Sequence, residues 1–179
     1  MNETLRFDTL AYLGLYLLIA SVSILSRILP LGVLEAGWPL PDLLLLLTMA
    51  WVLRRPAHLP ALAIVLVFLA EDLFMMRPPG LWALAVLAGT EFLRRRNQVV
   101  REMNLLLEWA MVAAVLVAMT VAYRLVLMIV MSPREPLDLS LKTLVVTILV
   151  YPLVVWVLQV VLRVKKPATG EVDELGRRL

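Results

Sequence analysis

Residues 69–96 read LAEDLFMMRPPGLWALAVLAGTEFLRRR. Two adjacent carboxylates, Glu71 and Asp72, stand inside an apolar run, and Pro78, Pro79 and Gly80 then make a turn. About a dozen mostly apolar residues follow, and Arg94, Arg95 and Arg96 close the stretch. A soluble domain has little reason to surround so few polar groups with Leu, Phe, Trp and Ala. In a bilayer the same layout is one helix surfacing, a tight turn, and a second helix returning to a basic face. The stretch predicts the centre of a small polytopic membrane protein.

Composition points the same way. The chain has 179 residues, 62% of them hydrophobic, and a mean hydropathy of +0.91, well above the apolar share of a globular domain. That length predicts one compact unit with no sizeable soluble domain. The absence of cysteine excludes disulfides, thiolate metal sites and cysteine nucleophiles. The opening MNETLRFD is as acidic as it is basic, and the apolar run behind it is too long for a typical signal-peptide core. An uncleaved first span is expected.

Hydropathy predicts a bundle of six transmembrane helices. The first, over 9–26, is uncharged and long enough for a hydrocarbon core of roughly 30 Å; Arg27 ends it. Residues 28–41, with three prolines and two glycines, suit an interfacial connector with Trp38 at headgroup depth. Pro41 and Asp42 open the second span, 41–53, with Asp42 as N-cap, and Arg54, Arg55 and Pro56 stop it. The third covers 61–76 and the fourth 80–93. Three short spans in succession imply local thinning of the bilayer, or ends shielded by neighbouring protein.

The fifth span, 104–131, must tilt or project beyond the bilayer. Its Ala110, Ala114, Ala118 and Ala122 form a ladder of small residues that allows close helix approach, expected as a contact inside the bundle. The sixth covers 141–164. Pro152 lies within it, leaves the carbonyl of Ile148 without its N–H partner, and should kink the helix. A charged tail over 165–179 completes the chain.

Lysine and arginine set the orientation. Six crossings give one face Arg6, Arg54, Arg55, Arg94, Arg95, Arg96, Arg101, Arg163, Lys165, Lys166, Arg177 and Arg178, twelve in all. The other face receives four, Arg27, Arg77, Arg134 and Lys142, while Arg124 falls within the fifth span. The imbalance predicts both termini in the cytoplasm.

On that topology Glu71, Asp72 and Arg124 share the outer half of the membrane. They form a candidate intramembrane network in which Arg124 answers one carboxylate; the alternative is that all three snorkel outward. Adjacent helical residues point about 100° apart, so at most one of Glu71 and Asp72 is expected to be buried. Glu91 and Glu108 are expected to pair at the interface with Arg94, Arg95 and Arg101. The basic residues Arg54, Arg55, Arg94, Arg95, Arg96 and Arg101 are candidate cytoplasmic contacts for anionic lipid or a partner. His58, the one histidine, is expected at the surface without a partner. Ser21, Ser23 and Ser26 look like helix-packing hydroxyls. No nucleophile elbow, zinc-protease, P-loop or paired metal-ligand motif occurs, so neither enzyme activity nor a cofactor is expected.

The run from Pro41-Asp42-Leu43 to Trp51-Val52-Leu53-Arg54-Arg55-Pro56, then Asp72, Arg77-Pro78-Pro79-Gly80-Leu81-Trp82-Ala83 and Glu91-Phe92-Leu93-Arg94-Arg95-Arg96, resembles the rod-shape-determining protein MreD family in its alpha-proteobacterial form. The resemblance covers residues 38–96, a third of the chain. Many members of the family carry glycines before the aspartate of the third span, where this chain reads Val67-Phe68-Leu69-Ala70-Glu71-Asp72. The resemblance implies a six-helix bacterial inner-membrane protein similar in fold to the substrate-binding components of energy-coupling-factor transporters. It also implies a non-catalytic part in the cell-elongation machinery. The implied partners are MreC, the glycan polymerase RodA with its penicillin-binding transpeptidase, MreB filaments and membrane lipid, with no nucleic acid. Cell-shape control would then rest on helix faces, above all of spans two to four. A transporter component holding a small molecule in a cavity lined by Glu71 or Asp72 and Trp82 is the alternative.

Overall fold

The computed structural model describes residues 2–28, 40–96, 104–132 and 135–160. Trp38, Arg101, residues 161–164 and the tail 165–179 lie outside the described residues. Within them the chain is all-helical. The elements are α1 (Asn2–Ile28), α2 (Leu43–Arg54), a 3-10 turn (Pro56–His58), α3 (Ala61–Phe74), α4 (Leu81–Arg95), α5 (Leu105–Ile129) and α6 (Leu137–Val160). Three stretches, Leu10–Arg27, Leu105–Ile129 and Leu137–Val160, are long and apolar enough to cross a membrane.

Local chemistry sets the boundaries. The Asp42 carboxylate accepts from the Leu45 amide at 3.1 Å and caps α2. Asn104 caps α5 the same way through Leu107, at 3.0 Å. α1 starts before the apolar stretch because hydropathy bounds only the membrane-compatible part of a helix. Asn2 to Thr9 contains no proline or glycine to stop it. α6 begins at Leu137, ahead of its apolar run, since the Pro136 carbonyl takes the Ser140 amide at 3.1 Å. Pro152 lies inside α6 as the sequence requires, and the Ile148 carbonyl it orphans receives the Trp109 indole N–H of α5 at 2.7 Å. An inter-helix bond replaces the missing helical one.

α2 is the centre of the packing. Ten of its twelve residues are buried, ringed by α1, α4 and α6. At about 18 Å it is short, and the rest of the bundle surrounds it. α3 packs on α4, α4 on α5, and α5 on α6. α4 and α5 approach closely at Gly89, where an added Cβ would meet Met119 Sδ and lie 3.1 Å from a Val115 methyl. The alanine ladder is not that contact. Ala110, Ala114, Ala118 and Ala122 are all exposed, whereas Val112, Val115, Leu116 and Met119 on the other side of α5 are buried. Four-residue spacing identifies a helix face but not the direction in which it points. The serines also differ from expectation, since Ser21 and Ser26 are exposed and bond carbonyls of their own helix at 2.8 Å.

Candidate functional site

The charged side chains gather at two ends of the bundle. At one end, Arg27 closing α1 forks between two helices. Its Nη1 donates to Glu71 Oε1 at 2.7 Å and its Nη2 to Asp42 Oδ1 at 2.8 Å. Asp42 also donates its amide to Thr147 Oγ1 at 3.0 Å, so this knot joins α1, the start of α2, α3 and α6. Arg27, not Arg124, therefore answers the carboxylate, which corrects the expected network of Glu71, Asp72 and Arg124. Arg124 instead donates to the backbone carbonyl of Glu135 at 3.3 Å.

Glu71 and Asp72 are both fully buried, against the expectation of at most one. Facing about 100° apart, they serve different neighbours. Glu71 turns to Arg27, and Asp72 turns across the Pro78-Pro79-Gly80 turn to accept from the amides of Gly80 at 3.0 Å and Ala83 at 3.3 Å. α4 has no capping side chain of its own, because the left-handed Gly80 (φ 84°) occupies its N-cap. Asp72 caps it from the preceding helix. A carboxylate at a helix N-terminus satisfies orphan N–H groups and opposes the positive end of the macrodipole.

At the other end, Arg54 Nη1 donates to Glu108 Oε1 at 2.8 Å and to the Ala50 carbonyl at 3.2 Å. The Tyr151 hydroxyl donates to the same Glu108 oxygen at 2.6 Å. Arg54 and Glu108 are 0% and 1% exposed. Two expectations change here: Arg54 is no surface contact, and Glu108 pairs with Arg54, while Arg101, its expected partner, lies outside the described residues. Glu91 does pair with Arg94, at 2.9 Å. Arg94 also ties α4 to the turn after α2 by donating to the carbonyls of Pro56 at 2.9 Å and Leu59 at 2.7 Å. Arg55 is half-buried, while Arg95 and Arg96 are exposed. His58 is half-buried and stacks on Tyr12, ring centroids 4.7 Å apart, so the expectation of a partnerless surface histidine does not hold.

These contacts fix the direction of every helix. α1, α3 and α5 end, and α2, α4 and α6 begin, at the Asp42 end. The signal for Arg27 was present in the sequence. Alternating direction brings the end of α1, the start of α2 and the end of α3 to one level, where Arg27 is the nearest cation to Asp42 and Glu71.

Beside this knot lies a cavity of about 530 Å³, bounded by the start of α2, the turn after α3, the later half of α5 and the first turns of α6. Trp82, Arg77, Tyr123, Arg124 and Glu135 line it. The Trp82 and Tyr123 rings meet edge-on at 5.1 Å, and the Arg77 guanidinium lies 6.0 Å from the Trp82 ring centre. Trp82 is where a ligand cavity was expected to have it. Glu71 and Asp72 are not among the lining residues; both are turned into helix contacts. Among the described residues no group of acidic and histidine side chains is arranged to hold a metal ion.

Comparison with protein-family models, curated proteins and solved structures finds no match for the chain.

Proposed function

We propose that the chain is a non-catalytic, six-span component of the bacterial inner membrane, of the MreD type, with both termini in the cytoplasm. In this reading it scaffolds peptidoglycan synthesis during cell elongation, and so cell shape, by holding partner membrane proteins against its helix faces. One observation carries the scaffold reading. Each buried charged side chain among the described residues, Asp42, Arg54, Glu71, Asp72 and Glu108, contacts another helix or its capping turn. Intramembrane charge is costly and ordinarily marks function; here it is used to hold helices to one another. The alternating helix directions and the crowding of arginine at the Arg54 end support six crossings with that end cytoplasmic.

The partner surface in this reading is narrower than spans two to four. α2 is enclosed and has no face to offer, but α3 exposes Leu62, Leu66 and Leu73 and α4 exposes Leu84 and Phe92. That hairpin is the proposed seat for the transmembrane helix of an MreC-type partner or of the polymerase–transpeptidase pair. Arg95 and Arg96, exposed at the end of α4, would meet anionic lipid or the MreB filament. Cysteines placed at Leu66 and Leu84 and cross-linked in native membranes test this directly. An adduct with one of those partners is expected; adducts with lipid alone would count against the scaffold. A reporter fused after Leu179 should be active only in the cytoplasm, and periplasmic activity would overturn the topology.

A further inference from the structure

The cavity at the Asp42 end is lined by two guanidinium groups outside the ion pairs of the bundle, Arg124 donating only to the Glu135 carbonyl and Arg77 lying by the Trp82 ring. Arg77 and Arg124 are half-buried, both line the space, and neither forms an ion pair with a carboxylate among the described residues. Arg27 nearby is different, since both ends of its fork are occupied by Asp42 and Glu71. Asp42 lines the cavity too, but its carboxylate is committed to Arg27 and to the α2 cap. The other carboxylate of the lining is Glu135. The rest of the lining is of two kinds, aromatic at Trp82 and Tyr123 and aliphatic at residues such as Leu116 and Leu127. On the same helix, α5, Leu125 and Met128 are exposed.

A lining that combines two guanidinium groups outside any ion pair of the described residues with aromatic and aliphatic side chains suits an amphiphile. Guanidinium groups bind phosphate oxygens in pairs and stack on aromatic faces. A bare phosphate would fill little of 530 Å³, whereas a whole headgroup falls within the volume range of ligand sites. We infer that this cavity binds the phosphodiester headgroup of a phospholipid-like amphiphile, Arg77 and Arg124 taking the phosphate and the α5 side of the wall taking the start of an acyl chain. The inference rests on the membrane reading alone and not on a role in cell elongation.

The test uses the full chain purified in a mild detergent and examined by native mass spectrometry. Phosphatidylglycerol or phosphatidylethanolamine is added in one arm and soluble glycerol phosphate in the other. The parent protein should retain one lipid, and Arg124→Gln or Arg77→Gln should lower retention about tenfold, the scale of one charge-assisted hydrogen bond. Thr120→Trp, which intrudes on the cavity and leaves both arginines in place, should lower it as well. Lys142→Gln, an exposed cation of α6 outside the cavity lining, should leave it unchanged. Equal retention by all variants would overturn the site. So would loss with Lys142→Gln to the same degree, which marks unspecific surface binding. Glycerol phosphate binding as well as the lipid does would overturn the amphiphile and assign the cavity to a soluble phosphate ester. A vitamin-sized solute displacing the lipid at equal concentration would return it to the transporter reading. Because retention is read on purified protein, it stands or falls separately from any cross-link to an elongation partner.

Discussion

Replacing Arg54 by Met separates the role of buried charge from that of packing. Methionine keeps much of the apolar stem but removes the cation 2.8 Å from Glu108 Oε1, where the two side chains are 0% and 1% exposed. The carboxylate keeps the Tyr151 hydroxyl, at 2.6 Å, but loses the Arg54 cation beside it. Removing one partner of such a pair costs about 3–5 kcal/mol. For a chain of this length that lowers the melting temperature by roughly 6–20 °C. Glu108→Gln should cost a comparable amount, because it strands the guanidinium instead. The double variant has neither charge, so its loss should fall short of the sum of the singles by about 1–3 kcal/mol. The exposed pair Lys142–Asp138, 3.5 Å apart with side chains 61% and 69% exposed, is the control; Lys142→Ala should move stability by no more than ~0.5 kcal/mol. Thermal unfolding of the detergent-solubilised chain, followed by tryptophan fluorescence, reads all four variants. Single variants melting within about 2 °C of the parent, less than 1 kcal/mol, would refute the reasoning. Strict additivity in the double variant would refute it equally.

The proline in α6 allows a second cycle. Trp109→Phe leaves the Ile148 carbonyl without its donor and should cost about 1–3 kcal/mol, whereas in a Pro152→Ala background the restored backbone N–H should remove most of that cost; equal losses in both backgrounds would separate the indole from the proline. Asp72→Ala should destabilise by about 0.5–2 kcal/mol through loss of the α4 cap, with faster hydrogen exchange at the Gly80 and Ala83 amides and Asp72→Asn falling between; unchanged exchange would mean the cap contributes nothing. Gly89→Val should cost about 1–3 kcal/mol by overpacking against Val115 and Met119, and Met119→Ala should recover part of it in the same melting assay.

The positions of the helices were legible because apolar runs, prolines and caps are local signals. Asp42 and Asn104 have only to reach an amide three residues on. The pairings were less legible, since an ion pair depends on helix rotation, which a uniformly apolar sequence leaves unmarked. Arg124 and Glu71 shared a depth, yet on α5 Arg124 stands at the cavity while Arg27, dismissed as a span terminator, reaches Glu71 and Asp42. Rotation also hid the alanine ladder: with Leu, Val and Met on every side of α5, nothing in the pattern told the core face from the outer one. Depth itself could have been used further. Arg54 and Glu108 lie at the same end once helices alternate, and their pairing follows from placing both at that level and asking which carboxylate a cation within a leucine-rich run could meet.

Within a bilayer, apolar faces do not by themselves draw helices together, since acyl chains are as apolar as leucine. The leucines around α2 would be as well accommodated by lipid as by α1 and α6, so burial alone does not determine where α2 sits. Polar pins along its length do. Asp42 meets Arg27 and, through its amide, Thr147; Thr48 lies 3.0 Å from the Tyr16 hydroxyl; and Arg54 meets Glu108, itself bonded to Tyr151. These contacts fall at the start, middle and end of a twelve-residue helix and reach α1, α5 and α6. A slip of one residue shifts α2 by about 1.5 Å and degrades all of them at once, so the arrangement has one register. The outward faces of α3, α4 and α5 have no comparable pins among the described residues. Lipid or another helix can cover them without disturbing a core fixed from within, and that separation lets one surface exchange occupants while the fold beneath it stays constant.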